Sequence, residues 1–364
     1  MSAIQDVYRI SAQRNSMGRR WFIRCVLAIA VLVALRWGIW NAVFLSSDPD
    51  VCRAAGGACW AVISSQWKLA LFGTYPFAAI WRPFAATAVL LAAFAVPLTW
   101  PSLWVLASGW AGGLAIAIAL LDGRPLGLAV VETHDWGGMP LTLLLSEGVI
   151  LLAFPIGLAS ALARSSGSVV LRSLALVAVE CIRGVPLVSL LFFATLVMPL
   201  FLSGLSNLDK LSAAAAAIVL FNAAYISEII RGGLTTVPQG QFEAAKSLGI
   251  RWSGMQRLIV LPQALKACAP SLVNEAVGIV KDTSLVSVIG LFDLMNTSKL
   301  TLIDVRWQRY FAEVYIVIGL AYFLMCWAMA ILGRRLSSRL DNFSSLREPS
   351  ASIMLPAVTA GGHN

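Results

Sequence analysis

Four polar side chains follow one another at Lys281, Asp282, Thr283 and Ser284, inside the apolar run Ala264–Leu291. A charge near the centre of a bilayer costs about 2.5–3.5 kcal/mol on insertion scales, and such charges usually serve transport or hold helices together. Adjacent residues on a helix do not face each other, so Lys281 and Asp282 form no ready ion pair. A break in the helix here would turn both toward a cavity, with Thr283 and Ser284 capping a following half-helix. Two readings stay open: a substrate path or gate, and a structural lock between helices. Asn222 and Glu275 are further residues for the same path.

Bond-making chemistry finds little support. The histidines are His134 and His363, which excludes a histidine-rich metal site, and no Ser/His or paired-carboxylate constellation is visible. No catalytic residue, metal or cofactor is expected, and the chain does not read as an enzyme. Gly240-x4-Ala245-Lys246-Ser247 nearly spells a phosphate-binding loop. That loop needs a glycine before the lysine and a strand in front of it, whereas these residues suit a helix. Any ATP hydrolysis must then come from a partner.

The elements that hold these residues are set by composition. Of 364 residues 59% are hydrophobic and 12% charged, against about 25% charged in soluble domains. The chain reads as a multi-spanning membrane protein, and the long apolar runs without period-2 alternation make it all-α. Runs at Trp21–Leu45, Pro83–Leu98, Leu103–Leu121, Leu141–Ala163, Pro186–Leu205, Leu211–Ile230, Ala264–Leu291 and Phe311–Leu332 predict about eight spanning helices. Ala61–Ile80 contains Gln66, Lys68, Thr74 and Pro76 and predicts an interfacial or looped stretch. The basic, apolar N-terminus reads as an uncleaved first helix rather than a signal peptide. Arg36 falls inside that first run, where it either snorkels outward or faces another helix.

Cationic residues cluster at Arg9–Arg20, Arg164–Arg183, Arg231–Arg257 and Arg334–Arg339. Eight spans put all four clusters on one side, which the positive-inside bias makes cytoplasmic, with both termini. The net charge of +9 thus serves topology and the membrane lipid surface rather than nucleic acid. Cys25, Cys181, Cys268 and Cys326 sit in or beside apolar runs, whereas Cys52 and Cys59 flank Gly56-Gly57 in a polar loop placed outside. Disulfides persist in such a compartment, so this pair is expected to be bridged. A composition shift near Pro140 divides residues 1–140, with three helices, from a transport core at 141–337 and a polar tail at 338–364.

One polar loop carries the most structured signal. Thr235-Thr236-Val237-Pro238 predicts a cap with Pro in a first helical turn, and Gln239–Leu248 are mostly helix formers. Glu243, Ala244 and Ala245 lie at the centre, and Gly249 sits where a left-handed glycine ends a helix. Ser253–Gln256 predicts a capping box for a second short helix, and Leu261-Pro262 turns the chain into the next span. The small Ala244 and Ala245 allow close approach by a partner.

The spacing E-A-A-x3-G-x9-I-x-L-P, over Glu243, Ala244, Ala245, Gly249, Ile259, Leu261 and Pro262, resembles the cytoplasmic loop by which ABC importer permeases grip their ATPase subunits. Tyr225–Gly233, Val237–Gln241, Lys281–Val286 and Arg183–Leu187 resemble segments of the polar amino acid subfamily. The three leading helices and Trp136-Gly137-Gly138 are similar to the M-type permease of the general L-amino-acid system. Arg251 departs from the pattern, which usually has a small polar cap there. The resemblance implies a type I (MetI-like) importer fold in the bacterial inner membrane, with a five-helix core. It implies ABC ATPase subunits, a second and paralogous permease, and a periplasmic amino-acid-binding protein as partners. The competing reading is an ion-coupled secondary amino acid transporter, which would explain Asp282 but not the loop at 243–262.

Overall fold

A computed structural model describes residues 20–99, 102–201 and 209–345. Arg9, Arg14, Arg19, His363 and the end of the 338–364 tail lie outside the described residues. Helices fill most of the described chain: α1 (Arg20–Trp40), α2 (Pro49–Ala55), α3 (Ala61–Ser65), α4 (Trp67–Phe72), α5 (Trp81–Thr99) and α6 (Leu103–Asp122). There follow α7 (Gly138–Arg164), α8 (Val169–Arg183), α9 (Leu187–Phe201), α10 (Lys210–Thr235), α11 (Gln239–Ser247), α12 (Trp252–Met255), α13 (Leu261–Asp282), α14 (Leu294–Thr301) and α15 (Phe311–Ser345).

Among the described residues, five helices are long and apolar enough to cross a bilayer: α1, α6, α7, α10 and α15. Counting α8 and α9 as one bent span makes six. Helix α5 is apolar but shorter, and the more polar α13 is not in that set. The chain is thus an all-α, multi-pass membrane protein. As expected, 61–80 forms short helical turns rather than a span.

Contacts group the chain into two compact units. One is built from the chain up to Ala70 with Ser298–Gly319, the other from Leu71–Thr297 with the chain from Leu320 onward. In the first, Asp48 caps α2 by accepting the Asp50 N–H at 3.0 Å. Cys52 and Cys59 are joined by a disulfide with Cα atoms 5.4 Å apart. The Cys59 N–H donates to the buried Glu313 carboxylate at 3.0 Å, and the Tyr310 hydroxyl donates to the Pro49 carbonyl at 3.1 Å. Arg36 lies exposed in the last turn of α1, which ends at Trp40. A cation within one turn of the end of a span is placed where snorkelling toward the interface is possible.

In the second unit α7, α10 and α13 form the centre. Leu141, Leu145, Ile218, Ile230 and Ile279 are almost fully buried there. Two glycines bring the helix backbones together: a Cβ on Gly157 of α7 would meet the Ala223 carbonyl of α10 at 2.8 Å. One on Gly233 of α10 would meet the Ala264 carbonyl of α13 at 2.5 Å. The buried Arg82 closes α6 by donating to the Leu120, Leu121 and Ala129 carbonyls at 2.5, 2.9 and 2.7 Å. Such a cation satisfies carbonyls that a helix C-terminus leaves open. Asp293, also buried, accepts from the Met295 and Asn296 N–H groups at 3.1 and 3.0 Å and from the Tyr322 hydroxyl at 3.0 Å.

After α7 the structure departs from the sequence reading. Residues 169–183, expected as a basic loop, form helix α8, capped by the Ser168 hydroxyl on the Leu171 N–H at 3.4 Å. Its charged face hides the apolar one from a count of consecutive apolar residues. Pro186 stands at the N-cap of α9 with ψ 140°. There the chain bends by 102° between α8 and α9.

Candidate functional site

The polar loop 236–260 holds two short helices at a fixed angle. Helix α11 ends at Ser247, and Gly249 takes φ +68°. The Ile250 N–H donates to the Ala245 carbonyl at 3.0 Å and the Gly249 N–H to the Lys246 carbonyl at 2.9 Å. This paired closure is the Schellman arrangement, which needs the left-handed residue that glycine supplies. A Cβ on Gly249 would meet nothing within 4 Å, so its restraint is the backbone angle rather than space.

The start of each helix differs from the expectation. Thr235 ends α10, and the hydroxyls of Thr235 and Thr236 donate back to the Gly232 and Gly233 carbonyls at 2.7 and 2.8 Å. Pro238 itself is the N-cap of α11. Ser253 caps nothing, because α12 starts at Trp252 with Arg251 at the N-cap and no side-chain bond. The two alanines also divide their roles. Ala244 is exposed beside the exposed Glu243, whereas Ala245 is 1% exposed and packs into the core. Of the pair, Ala244 alone offers a small outward surface. Leu248, Trp252 and Leu258 are large apolar residues left exposed on this polar loop. Ile259 and Leu261 are half-buried, and Pro262 is exposed at the start of α13.

Beside the loop the helix ends are tied by a charge cluster that the sequence does not reveal. Glu228 of α10 accepts from Arg164 at 2.7 Å and from Arg231 at 2.9 Å. Arg183 reaches Glu228 and Glu180 at 3.8 Å each, and Arg164 reaches Glu180 at 3.9 Å. The Arg164 side chain is 8% exposed. The guanidinium of Arg183 lies 5.4 Å from the Tyr225 ring centroid. The ends of α7, α8 and α10 are therefore held together by Glu228, with Glu180 beside it.

Along the intramembrane path, α13 ends at Asp282 and continues as a 3-10 turn, Thr283–Ile289. The helix thus changes type at the polar group. Thr283 and Ser284 do not cap the new turn; their hydroxyls donate back to the Val280 and Lys281 carbonyls at 2.8 and 2.7 Å. Among the described residues no ion pair within 4.0 Å involves Lys281 or Asp282. Glu275 lies two turns before Asp282 on the same side of α13, and both are half-buried. Lys281 continues a stripe of exposed residues through Ser271 and Asn274. A Cβ on Gly278, within that stripe, would meet nothing within 4 Å. A polar face of this kind is costly against lipid, so it turns to water or to another polar surface. Asn222 of α10 is buried instead, donating to the Ile218 carbonyl at 2.9 Å in its own helix. The structure also buries Glu147 in α7, with both carboxyl oxygens lacking a hydrogen-bond partner.

Residues 153–342 match the family described as "Binding-protein-dependent transport system inner membrane component". The chain is 36% identical over 311 residues to the inner membrane amino-acid ABC transporter permease protein YhdY of Escherichia coli (strain K12), covering 84% of each chain. It is 34% identical to the glutamate/glutamine/aspartate/asparagine transport system permease protein BztC of Rhodobacter capsulatus, over 80% of this chain and 82% of that one. A chain from the crystal structure of an amino acid ABC transporter with histidines is 33% identical and has a TM-score of 0.49, covering 55% of this chain and 90% of that chain. With a matched span of 190 residues out of 364 and relatives aligned over most of their length, the chain belongs to the binding-protein-dependent transport system inner membrane components, the permeases of ABC importers.

Proposed function

We propose that this chain is the permease of an importer for L-amino acids and that the loop at 243–262 couples it to ATPase subunits. Amino acids are named as cargo for the relatives YhdY and BztC, and by the resemblance to the M-type permease of the general L-amino-acid system. A periplasmic binding protein delivers the substrate, and a second, paralogous permease completes the path. Eight spans, with both termini and the loop cytoplasmic, agree with the cationic clusters. Residues 141–337 form the transport core, 1–140 precede it as an extension, and 338–364 form a cytoplasmic tail.

The observation that carries this reading is the rigid closure of α11 at Gly249 beside exposed Glu243, Ala244, Leu248 and Trp252. A mobile loop would absorb a push from an ATPase, whereas a loop of fixed shape passes it on. The polar stripe of α13 with Glu275, Lys281 and Asp282 supplies the path or its gate. The test is Gly249→Leu in the complex co-expressed with its ATPase and reconstituted into proteoliposomes. The left-handed backbone costs a residue with a side chain about 1–2 kcal/mol, so α11 and α12 are re-aimed. Membrane insertion is retained, while ATP-driven uptake and co-purification of the ATPase are lost. Normal uptake and ATPase association in the variant overturn the coupling role. Uptake that persists in wild-type vesicles without ATP overturns the importer reading in favour of an ion-coupled carrier.

A further inference from the structure

One phenol touches both ends of the segment that follows the polar group of α13. The 3-10 turn Thr283–Ile289 begins directly after Asp282, and Gly290 ends it with φ +81°. Phe292 and Asp293 then pair with Gly137 and Gly138 at the start of α7. Tyr322 of α15 donates its hydroxyl to the Asp293 carboxylate at 3.0 Å, at the far end of this segment. The Thr283 side chain, at its near end, reaches the same hydroxyl, and so does that of Thr142 in α7. Thr142, Thr283 and Asp293 are all fully buried. Thr142 also accepts the Leu294 N–H at 3.0 Å. Further along, α15 lies against α13 through apolar contact: a Cβ on Gly333 would meet the Val273 side chain, and Val280, Met329 and Leu332 share one buried cluster. Tyr322 supplies the polar contact where α13 gives way to the turn.

We propose that Tyr322 is a positioning residue for the polar group 281–284, setting the place of Asp282 through Thr283 and Asp293. The inference rests on the importer reading, which gives Asp282 its role on the path. A 3-10 turn has poorer hydrogen-bond geometry than an α-helix, so its shape depends on what holds its ends. Here that hold is a single hydroxyl. Its loss releases both ends of the turn, while Asp293 goes on capping α14 through the Met295 and Asn296 N–H groups. Hydrogen bonds between membrane helices are weak, so this one biases the turn without locking it.

The test uses the complete transporter in proteoliposomes with loaded binding protein and ATP. Tyr322→Phe removes the hydroxyl and keeps the ring. Amino acid imported per ATP hydrolysed falls about three- to tenfold, within the range that a hydrogen bond between membrane helices supports. The unfolding midpoint stays within about 2 °C. Thr283→Val lowers the same ratio, and adding it to Tyr322→Phe lowers it little further, because both remove one tie. A lower midpoint with an unchanged ratio per folded complex marks a merely structural tie and overturns the proposal, as does full additivity of the two variants. If Tyr322→Phe does not assemble, Thr283→Val alone decides by the same ratio. Where wild-type vesicles import nothing with ATP, the importer reading falls, and hydrogen exchange of residues 283–293 in nanodiscs decides the tie. Exchange several-fold faster there in Tyr322→Phe, with α10 unchanged, upholds it, and unchanged exchange rejects it.

Discussion

Glu228 meets three arginines from three helices, and the most buried of them is Arg164, whose side chain is only 8% exposed. Replacing Glu228 by Gln keeps the shape and leaves that guanidinium with only the more distant Glu180, 3.9 Å away. Breaking a buried pair costs about 3–5 kcal/mol, and the low end applies because Glu228 itself is 26% exposed. A loss of about 3 kcal/mol lowers the unfolding midpoint of a chain this size by roughly 4 °C. The expected result for Glu228→Gln in detergent is a fall of that order. An unchanged midpoint would show that the cluster holds no load. No sequence pattern gives this cluster, because Arg164 and Glu228 are 64 residues apart and meet only once α7 and α10 pack. Glu147 is equally hidden: a single acid in a long apolar run has nothing beside it to draw notice. By contrast Gly249 is legible, since a helix-forming stretch that stops at a glycine carries its own geometry.

At the scale of elements, long apolar runs mark α6, α7, α10 and α15 closely, because one hydrophobic signal sets both their length and their burial. Helix α8 escapes that signal, since Arg172, Glu180 and Arg183 interrupt its apolar residues. The junction after α13 is legible as a break but not as the 3-10 turn that forms. This junction also separates the two readings of Asp282. A structural lock needs a close cation, and the structure places none within 4.0 Å of Asp282 among the described residues. Asp282→Asn is therefore expected to leave the unfolding midpoint of the assembled complex within about 2 °C, since less than about 1 kcal/mol is at stake. Substrate-stimulated ATPase activity and uptake change. A large fall in the midpoint with unchanged coupling per folded complex would reject the path role.

At the scale of the whole molecule, the Cys52–Cys59 pair reports which face is outside, because a disulfide lasts only in an oxidising compartment. Cys52 and Cys59 are 2% and 0% exposed, so in denatured protein neither is expected to react with a maleimide before reduction, and both should react after it. Cys268 is buried and Cys326 half-buried, so denatured samples with each native cysteine singly replaced are needed to assign the signal. Immediate labelling of Cys52 and Cys59 without reductant would refute the bridge. Labelling only from the cytoplasmic side would invert the topology, and with it the face given to the loop at 243–262.

The contacts at Gly157 and Gly233 also determine how force is carried. Where α7, α10 and α13 touch there, backbone meets backbone, and no rotamer can change to take up slack. Such contacts leave α7, α10 and α13 little room to slide past one another at these two points. Compliance must then be stored elsewhere, and the 102° bend between α8 and α9 is the natural place for it.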